Sequence, residues 1–204
     1  MRGDLLIIDE QVQQLYAMVQ SALTDASSAL LSGDVAQAER VRQGDGDVDN
    51  LAIDTDFLVL QRMEFQAPDA SDMHFLITAL RIVPQLERSA DLVEHIASYA
   101  ASGLLTGVGP GVKGLVADMA AVASSMWEES ASAWSHRDPD VASLLEDRDD
   151  ELDVLVEDLS HQLEADDVSV TVGMKLALLA RFYERLGDHA VHLARRIQYL
   201  VADD

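Results

Sequence analysis

An internal repeat constrains the fold most, because two copies of one sequence unit must fold in similar ways. The segment 85–97 aligns without gaps with the segment 182–194, and Glu, Arg, Asp, His and Ala are identical at matched positions. The offset is 97 residues (184 − 87). The segment 45–49 aligns with 149–153 at an offset of 104 residues (149 − 45). The seven-residue difference falls between helices, where a change of length costs little. The chain is therefore expected to hold two copies of one unit.

The stretches between turn residues have the composition of helices. They are rich in Ala, Leu, Glu, Gln and Arg and are separated by Pro and Gly. Six helices are predicted, over about residues 4–32, 35–64, 70–102, 112–135, 140–163 and 169–201. The fold class predicted is all-α, with two tandem pseudo-symmetric antiparallel three-helix bundles. The Gly-rich segment 103–114 marks the midpoint, which gives one domain over 1–106 and a second over 107–204.

Local signals set several of the predicted helix ends. Gly33 is expected to end the first helix, and Asp34 is expected to cap the second. Pro139 suits the first turn of the fifth helix, where its missing N–H costs nothing. Pro84 falls inside the third helix, so it should kink that helix or need tertiary support.

Charge and cysteine content exclude several functional classes. The chain has 14 Lys+Arg and 37 Asp+Glu, for a formal charge of −23. That charge argues against nucleic-acid binding and against docking on an anionic membrane through a polybasic patch. The chain has no Cys, which excludes disulfides and thiolate metal sites. Neither a spanning apolar run nor a signal-peptide pattern is present, so a cytoplasmic location is expected.

Each predicted half carries two acid-x-x-x-Asp pairs. On a helix, residues four apart lie on one face, and antiparallel packing of two such helices would gather four carboxylates. Oxygen ligands at that density suit a divalent or trivalent cation such as Fe, Zn, Mn or Mg, whereas carboxylates without a cation repel one another. The predicted metal ligands are Asp45, Asp49, Glu87, Asp91, Asp149, Asp153, Glu184 and Asp188.

A solvated acidic face is the alternative to a metal site. Acids are 37 of 204 residues, or about 18%, so single pairs at this spacing arise by chance. Recurrence of both pairs in both halves favours a site. His95 and His192 follow the Asp of each pair by four residues, and either a metal role or a place at the core edge fits them. His189 is expected to be solvated, and Trp127 and Trp134 to be packing residues.

The sequence gives no support for catalysis. It has no Gly-rich phosphate loop, no nucleophile turn and no Glu-x-x-His pattern of a di-iron bundle. We therefore expect the protein not to be an enzyme. Two alternatives remain open at this point, a metal-dependent carboxylate-bundle enzyme and a helical scaffold without metal.

Several segments resemble the PhoU family of phosphate-uptake regulators. Residues 87–91 and 183–191 resemble the paired signatures of that family. Residues 66–73 resemble its Gln-Gln-Pro-x-Ala-x-Asp-Leu segment, with Ala67 in place of a Gln, and His74 stands where an Arg is usual. Ser89 and Ala90 stand where Gly often precedes the Asp, and residues 179–201, which include the segment 194–200, are especially similar to actinobacterial members. The resemblance covers nearly the whole chain.

The resemblance implies a function without catalysis. It implies multinuclear metal clusters held by the acid-x-x-x-Asp pairs and a homodimer. It also implies contact with the ATPase of a phosphate ABC transporter and with a phosphate-sensing histidine kinase. Such a protein restrains high-affinity phosphate uptake, keeps the kinase in its phosphate-replete state, and meets the membrane only through these partners.

Overall fold

The structure, a computed structural model, describes residues 3–65, 68–165 and 168–202; Gln66 and Ala67, which the resemblance used, lie outside these ranges. The described residues form six long helices, and each end lies within about two residues of its prediction. The helices are α1 Gly3–Ser32, α2 Val35–Phe65, α3 Ala70–Ala101, α4 Pro110–His136, α5 Val141–Ala165 and α6 Val170–Ala202. The all-α prediction is confirmed.

The helices form two bundles that pack on each other. Helices α1, α2 and α3 contact one another, as do α4, α5 and α6, while α3 packs on α6 and α1 packs on α4. His74 near the start of α3 lies beside Tyr199 near the end of α6, and Tyr99 near the end of α3 stacks on Phe182. These contacts make α3 and α6 antiparallel. Helices α1 and α3 therefore pack against their repeat counterparts α4 and α6, as an approximate two-fold axis would require, whereas the described parts of α2 and α5 do not pack on each other. The domain boundary at residue 106 remains a prediction.

Large aromatic side chains fill the core where the bundles meet. Trp127 and Trp134 are fully buried, which confirms their predicted packing role. The indole Nε1–H of Trp127 donates to the Leu186 carbonyl oxygen at 3.0 Å. The hydroxyl of buried Tyr183 lies 3.0 Å from Ser27 Oγ, which links α6 to α1. The polar atoms of Trp127 and Tyr183 thus have hydrogen-bond partners inside the core, whereas the buried indole Nε1–H of Trp134 has none among the described residues.

Turn residues confirm some predicted helix ends and correct one. Gly33 has φ +75° at the end of α1, and Asp34 Oδ1 accepts from the Gln37 N–H at 3.0 Å at the start of α2, as expected. The placement of Pro139 in the first turn of α5 is wrong. Helix α5 begins at Val141. Pro139 lies in the preceding turn, because Asp138 Oδ1 accepts from the Asp140 N–H at 3.0 Å and closes a local turn there.

Pro84 lies inside α3, which is helical on both sides of it. Its neighbours Val83 and Leu86 are fully buried. Because α3 packs on α1, α2 and α6, these contacts supply the tertiary support that an interior proline requires. Among the described helices, none is long and apolar enough to cross a membrane.

Candidate functional site

The first carboxylate cluster lies between α2 and α3. Asp45 and Asp49 come from α2, and Glu87 and Asp91 come from α3. Burial raises the pKa of Asp45, and the negative charges of Asp49 and Asp91 raise it further. Burial likewise raises the pKa of Glu87, followed by the charges of Asp91 and Asp49. The structure therefore brings the four predicted carboxylates of this half into one electrostatic cluster.

The second cluster lies between α5 and α6 and is less complete. Burial is the first cause that raises the pKa of Asp149 to about 6, and the charges of Asp188 and Asp153 add to it. Glu184 instead forms an ion pair with Arg181, one turn earlier on α6. Three of the four predicted carboxylates of this half therefore lie close together: Asp149, Asp153 and Asp188. The charge of the fourth, Glu184, is neutralised by Arg181.

Two acidic residues near the first cluster were not predicted from the sequence. Asp56 lies seven residues after Asp49, so it shares a face of α2, and its charge contributes to the raised pKa of Glu87. An i, i+7 search would have found it. Glu94 lies near Asp45, but Arg42 donates to it at 2.9 Å and Ser98 at 3.0 Å, and these bonds lower its pKa although its burial acts in the opposite direction.

The oxygen atoms of these carboxylates are of the type that binds a cation. Oδ1 of Asp149 and Oδ1 of Asp56 are buried and accept no hydrogen bond from the described residues. A buried carboxylate oxygen without a donor is costly unless a cation meets it. Within residues 3–65, 68–165 and 168–202, however, no three Asp, Glu or His side chains are already arranged to hold a metal ion. The eight-residue ligand set therefore remains a prediction.

The two clusters open onto different cavities. Beside Asp149 and Asp188 a cavity of about 490 Å³ is lined mainly by acidic side chains, and Arg195 and His192 also contribute to its lining. Beside Asp45 a cavity of about 390 Å³ lies between α1, α2 and α3, and apolar side chains such as Met18 and Val93 form much of its lining. The second half therefore offers the more acidic space.

Gly187 allows α6 to approach α5 closely beside Asp149. A Cβ added at this position would lie 2.6 Å from Leu152 Cδ1 and 2.7 Å from Asp149 Oδ1. The repeat places Ala90 where the second half has Gly187, and Val48 where it has Leu152. The first half thus has the larger residue on its third helix and the smaller one on its second.

Gly187→Ala is expected to destabilise the protein by about 1–3 kcal/mol, because the added methyl overpacks this contact. Adding Leu152→Val removes a methylene at the clashing position and should recover part of the loss. Urea denaturation of the single and double variants, followed by circular dichroism, measures both effects. A double variant no more stable than Gly187→Ala would contradict the assigned close contact.

The prediction of a solvated His189 is wrong. Its side chain is buried where α6 packs on α3, and its Nδ1 lies 2.8 Å from Ser89 Oγ. The Ser89 hydroxyl donates to the Gln85 carbonyl oxygen at 2.6 Å, so the His189 Nδ1–H donates to Ser89. Burial lowers the pKa of His189 to about 4, and the positive charges of Arg185, His192 and Arg88 lower it further. The imidazole is therefore neutral and structural.

His95 lies at the edge of the core. It is exposed, with Nδ1 2.7 Å from the Asp91 carbonyl oxygen and its ring edge-on to Phe182. Of the two interpretations that the sequence left open, this geometry favours the core edge.

Comparison with known proteins places this architecture in a family. A curated relative from Mycobacterium tuberculosis, "Phosphate-specific transport system accessory protein PhoU homolog 1", is 31% identical over 191 residues, which cover 92% of this chain and 86% of the relative. A homologue from Aquifex aeolicus with a corresponding name is 30% identical over 182 residues, covering 86% and 81%. These relatives carry the names of accessory proteins, and the expectation that the chain is not an enzyme is confirmed.

Solved structures give the same fold. The crystal structure of PhoU from Pseudomonas aeruginosa superposes with a TM-score of 0.91 at 23% identity, covering 98% of both chains. The phosphate transport system regulatory protein PhoU from Streptococcus pneumoniae superposes with a TM-score of 0.88 at 20% identity, covering 98% of this chain and 96% of that one. The PhoU domain model matches residues 12–100 and 116–197, so the chain belongs to the PhoU family and carries two PhoU domains.

Proposed function

We propose that this protein is an accessory regulator of a phosphate-specific transport system. It restrains high-affinity phosphate uptake and phosphate-starvation signalling through contact with the transporter ATPase and the phosphate-sensing histidine kinase. The observation that carries the proposal is the similarity to an accessory protein of that system over 92% of the chain, including both repeats. The proposal includes the cytoplasmic location and the homodimer expected from sequence.

The carboxylate clusters hold divalent or trivalent cations in this proposal. The raised pKa values of Asp45, Glu87 and Asp149 support it, because burial first, and then neighbouring carboxylates, make each of these groups costly to ionise in the folded chain. A bound cation would supply positive charge at these sites. Asp149 and Asp188 would then hold α5 against α6, and Asp45 and Glu87 would hold α2 against α3.

An exposed apolar stripe on α2 supports action by protein contact. Ile53, Phe57 and Leu60 recur at helical spacing and are 66%, 64% and 56% exposed. At the 104-residue offset, the corresponding positions of α5 are polar: Glu157, His161 and Glu164. The fold therefore does not need apolar residues on this face. A contiguous exposed apolar patch is typical of an interaction surface.

Deletion of the gene is expected to switch on phosphate-starvation genes in phosphate-rich medium. A plasmid copy of the wild-type gene should silence them again, whereas Phe57→Ser should not. Because Phe57 is exposed, its replacement should change stability by no more than about 0.5 kcal/mol. A reporter of a starvation promoter measures the result.

The matched control is His161→Ser, at the repeat position where the stripe is absent; this variant should silence the reporter like the wild type. Starvation genes that stay silent in the deletion strain would reject the regulatory role. Full silencing by Phe57→Ser would keep the role but move the contact away from the stripe.

A further inference from the structure

A group of arginines on α3 and α6 forms no ion pairs with other described residues, although the charge of Arg88 acts on the neighbouring Glu87. Several other arginines of this acidic chain form ion pairs with carboxylates. Arg42 pairs with Glu94, and Arg195 pairs with Glu146. On α3 and α6, four arginines make no ion pair with any carboxylate in the part of the chain that the structure describes. They are Arg81 and Arg88 on α3, and Arg185 and Arg196 on α6. We name these four residues the arginine seam.

The antiparallel packing of α3 on α6 brings the seam together. The 2.8 Å hydrogen bond between Ser89 and His189 fixes the register of the two helices. Arg81 and Arg196 line one cavity of about 180 Å³, together with Gln85, His192 and Leu193. This volume far exceeds the roughly 10–15 Å³ that one ordered water requires.

Arg88 and Arg185 continue the seam beyond this cavity. Both lie near His189, since their positive charges act on its imidazole. On α3, Arg81 and Arg88 are seven residues apart and share a face, and on α6 Arg185 and Arg196 are eleven apart and share one too. All four arginines are exposed, so a ligand in solution can reach them.

The donors around the cavity suit an oxyanion. Each guanidinium presents N–H donors in a fixed fork that pairs two at a time with oxygens of one anion, and Gln85 and His192 add further polar groups. None of the residues lining the cavity is acidic. Neighbouring guanidinium groups repel one another, so an anion that bridges Arg81 and Arg196 removes an unfavourable interaction as well as adding hydrogen bonds.

We propose that the arginine seam binds phosphoryl oxyanions. The cavity between Arg81 and Arg196 takes one tetrahedral phosphoryl group, and Arg88 and Arg185 receive further groups when the ligand is a linear polyphosphate. Free orthophosphate and polyphosphate share this chemistry, and they differ in how much of the seam they use. The site does not depend on the proposed regulatory role, since binding is measured on the purified chain.

Calorimetry on the full chain, after chelator treatment and at fixed ionic strength, tests the site with orthophosphate and with tripolyphosphate. We expect the double variant Arg81→Gln with Arg196→Gln to bind both ligands at least about tenfold more weakly, because charge-assisted hydrogen bonds are lost. Arg88→Gln with Arg185→Gln should weaken tripolyphosphate alone. The control is Arg40→Gln, an exposed arginine on α2 outside the seam, which should leave both affinities unchanged.

Two results would overturn the proposal. The first is that neither anion binds the wild-type chain. The second is that Arg40→Gln weakens binding as much, per charge removed, as the seam variants do, because binding would then follow net charge. If both ligands bind through the cavity with equal affinity and Arg88 and Arg185 contribute nothing, the site is supported and orthophosphate is its ligand.

Discussion

Replacing Trp127 by alanine is expected to lower the free energy of unfolding by about 3–5 kcal/mol. The indole is fully buried and its ring centroid lies 6.2 Å from that of Tyr16 on α1. Its Nε1–H donates to the Leu186 carbonyl oxygen on α6 at 3.0 Å. Trp127 itself belongs to α4, so its loss leaves a cavity at a point where three helices from both bundles meet.

Urea denaturation followed by circular dichroism measures this effect, with Trp134 retained as a fluorescent probe. Trp127→Phe is the matched variant, because it keeps an aromatic ring while losing the hydrogen bond and part of the volume, and it should lose less stability than alanine. A loss below about 1 kcal/mol for Trp127→Ala would contradict the packing described at the junction of the bundles.

Much of the fold follows from local sequence and from the repeat. The ends of α1 and α2 are set by Gly33 and Asp34, whose backbone and side-chain preferences act within a few residues and can be recognised without a structure. Pro139 shows the limit of the same reasoning. Proline suits both a helix start and a turn, and the side chain of Asp138 decides for the turn.

The candidate site was only partly predictable, because its geometry depends on packing between helices. The four-residue spacing predicted that Asp45 and Asp49 share one helix face. Only the structure shows that Arg181 forms an ion pair with Glu184. His189 follows Asp188 directly, and its burial arises from the packing of α6 on α3. The net charge of −23 is a sum over the chain, so it concealed the local concentration of arginine on α3 and α6.

Asp149→Asn is expected to stabilise the metal-free protein at neutral pH and to reduce the stabilisation that added metal gives. The pKa of Asp149 is raised from its ordinary 3.8 to about 6, by burial first and then by Asp188 and Asp153. The folded state therefore binds this proton more tightly than the unfolded state does. Stability of the metal-free wild type should fall as pH rises from about 4 to about 6, and the loss is complete at neutral pH.

Asparagine carries no charge, so the variant should lose this pH dependence. The full shift corresponds to about 3 kcal/mol, but Asp149 is partly exposed and solvent screens its charge, so we expect a gain of about 1 kcal/mol. For a chain of this length that gain raises the melting temperature by about 2–4 °C. Asp158→Asn, an exposed position on α5 outside the cluster, makes the same change of charge and should leave stability unchanged.

With added cation, the wild type should become more stable than Asp149→Asn, the reverse of their order without metal. At a free concentration about 100 times its dissociation constant, a cation stabilises the wild type by about 2.7 kcal/mol, because it binds the folded state alone. Asp149→Asn should gain much less, since one buried oxygen donor has lost its charge. Thermal melts with chelator and with Mn²⁺, Fe²⁺, Zn²⁺ or Mg²⁺ give the comparison.

Metal analysis of the purified chain separates ion binding from charge relief. Asp91→Asn with Asp188→Asn removes one carboxylate from each cluster and should lower the metal content, while Asp158→Asn should retain it. Unchanged metal content in the double variant would discard the cluster assignment. A wild type that chelator leaves equally stable, and that every cation leaves unaltered, would instead indicate a scaffold without metal. The raised pKa of Asp149 would then reflect a loss of stability at neutral pH that the packing of α5 on α6 imposes and no ion relieves.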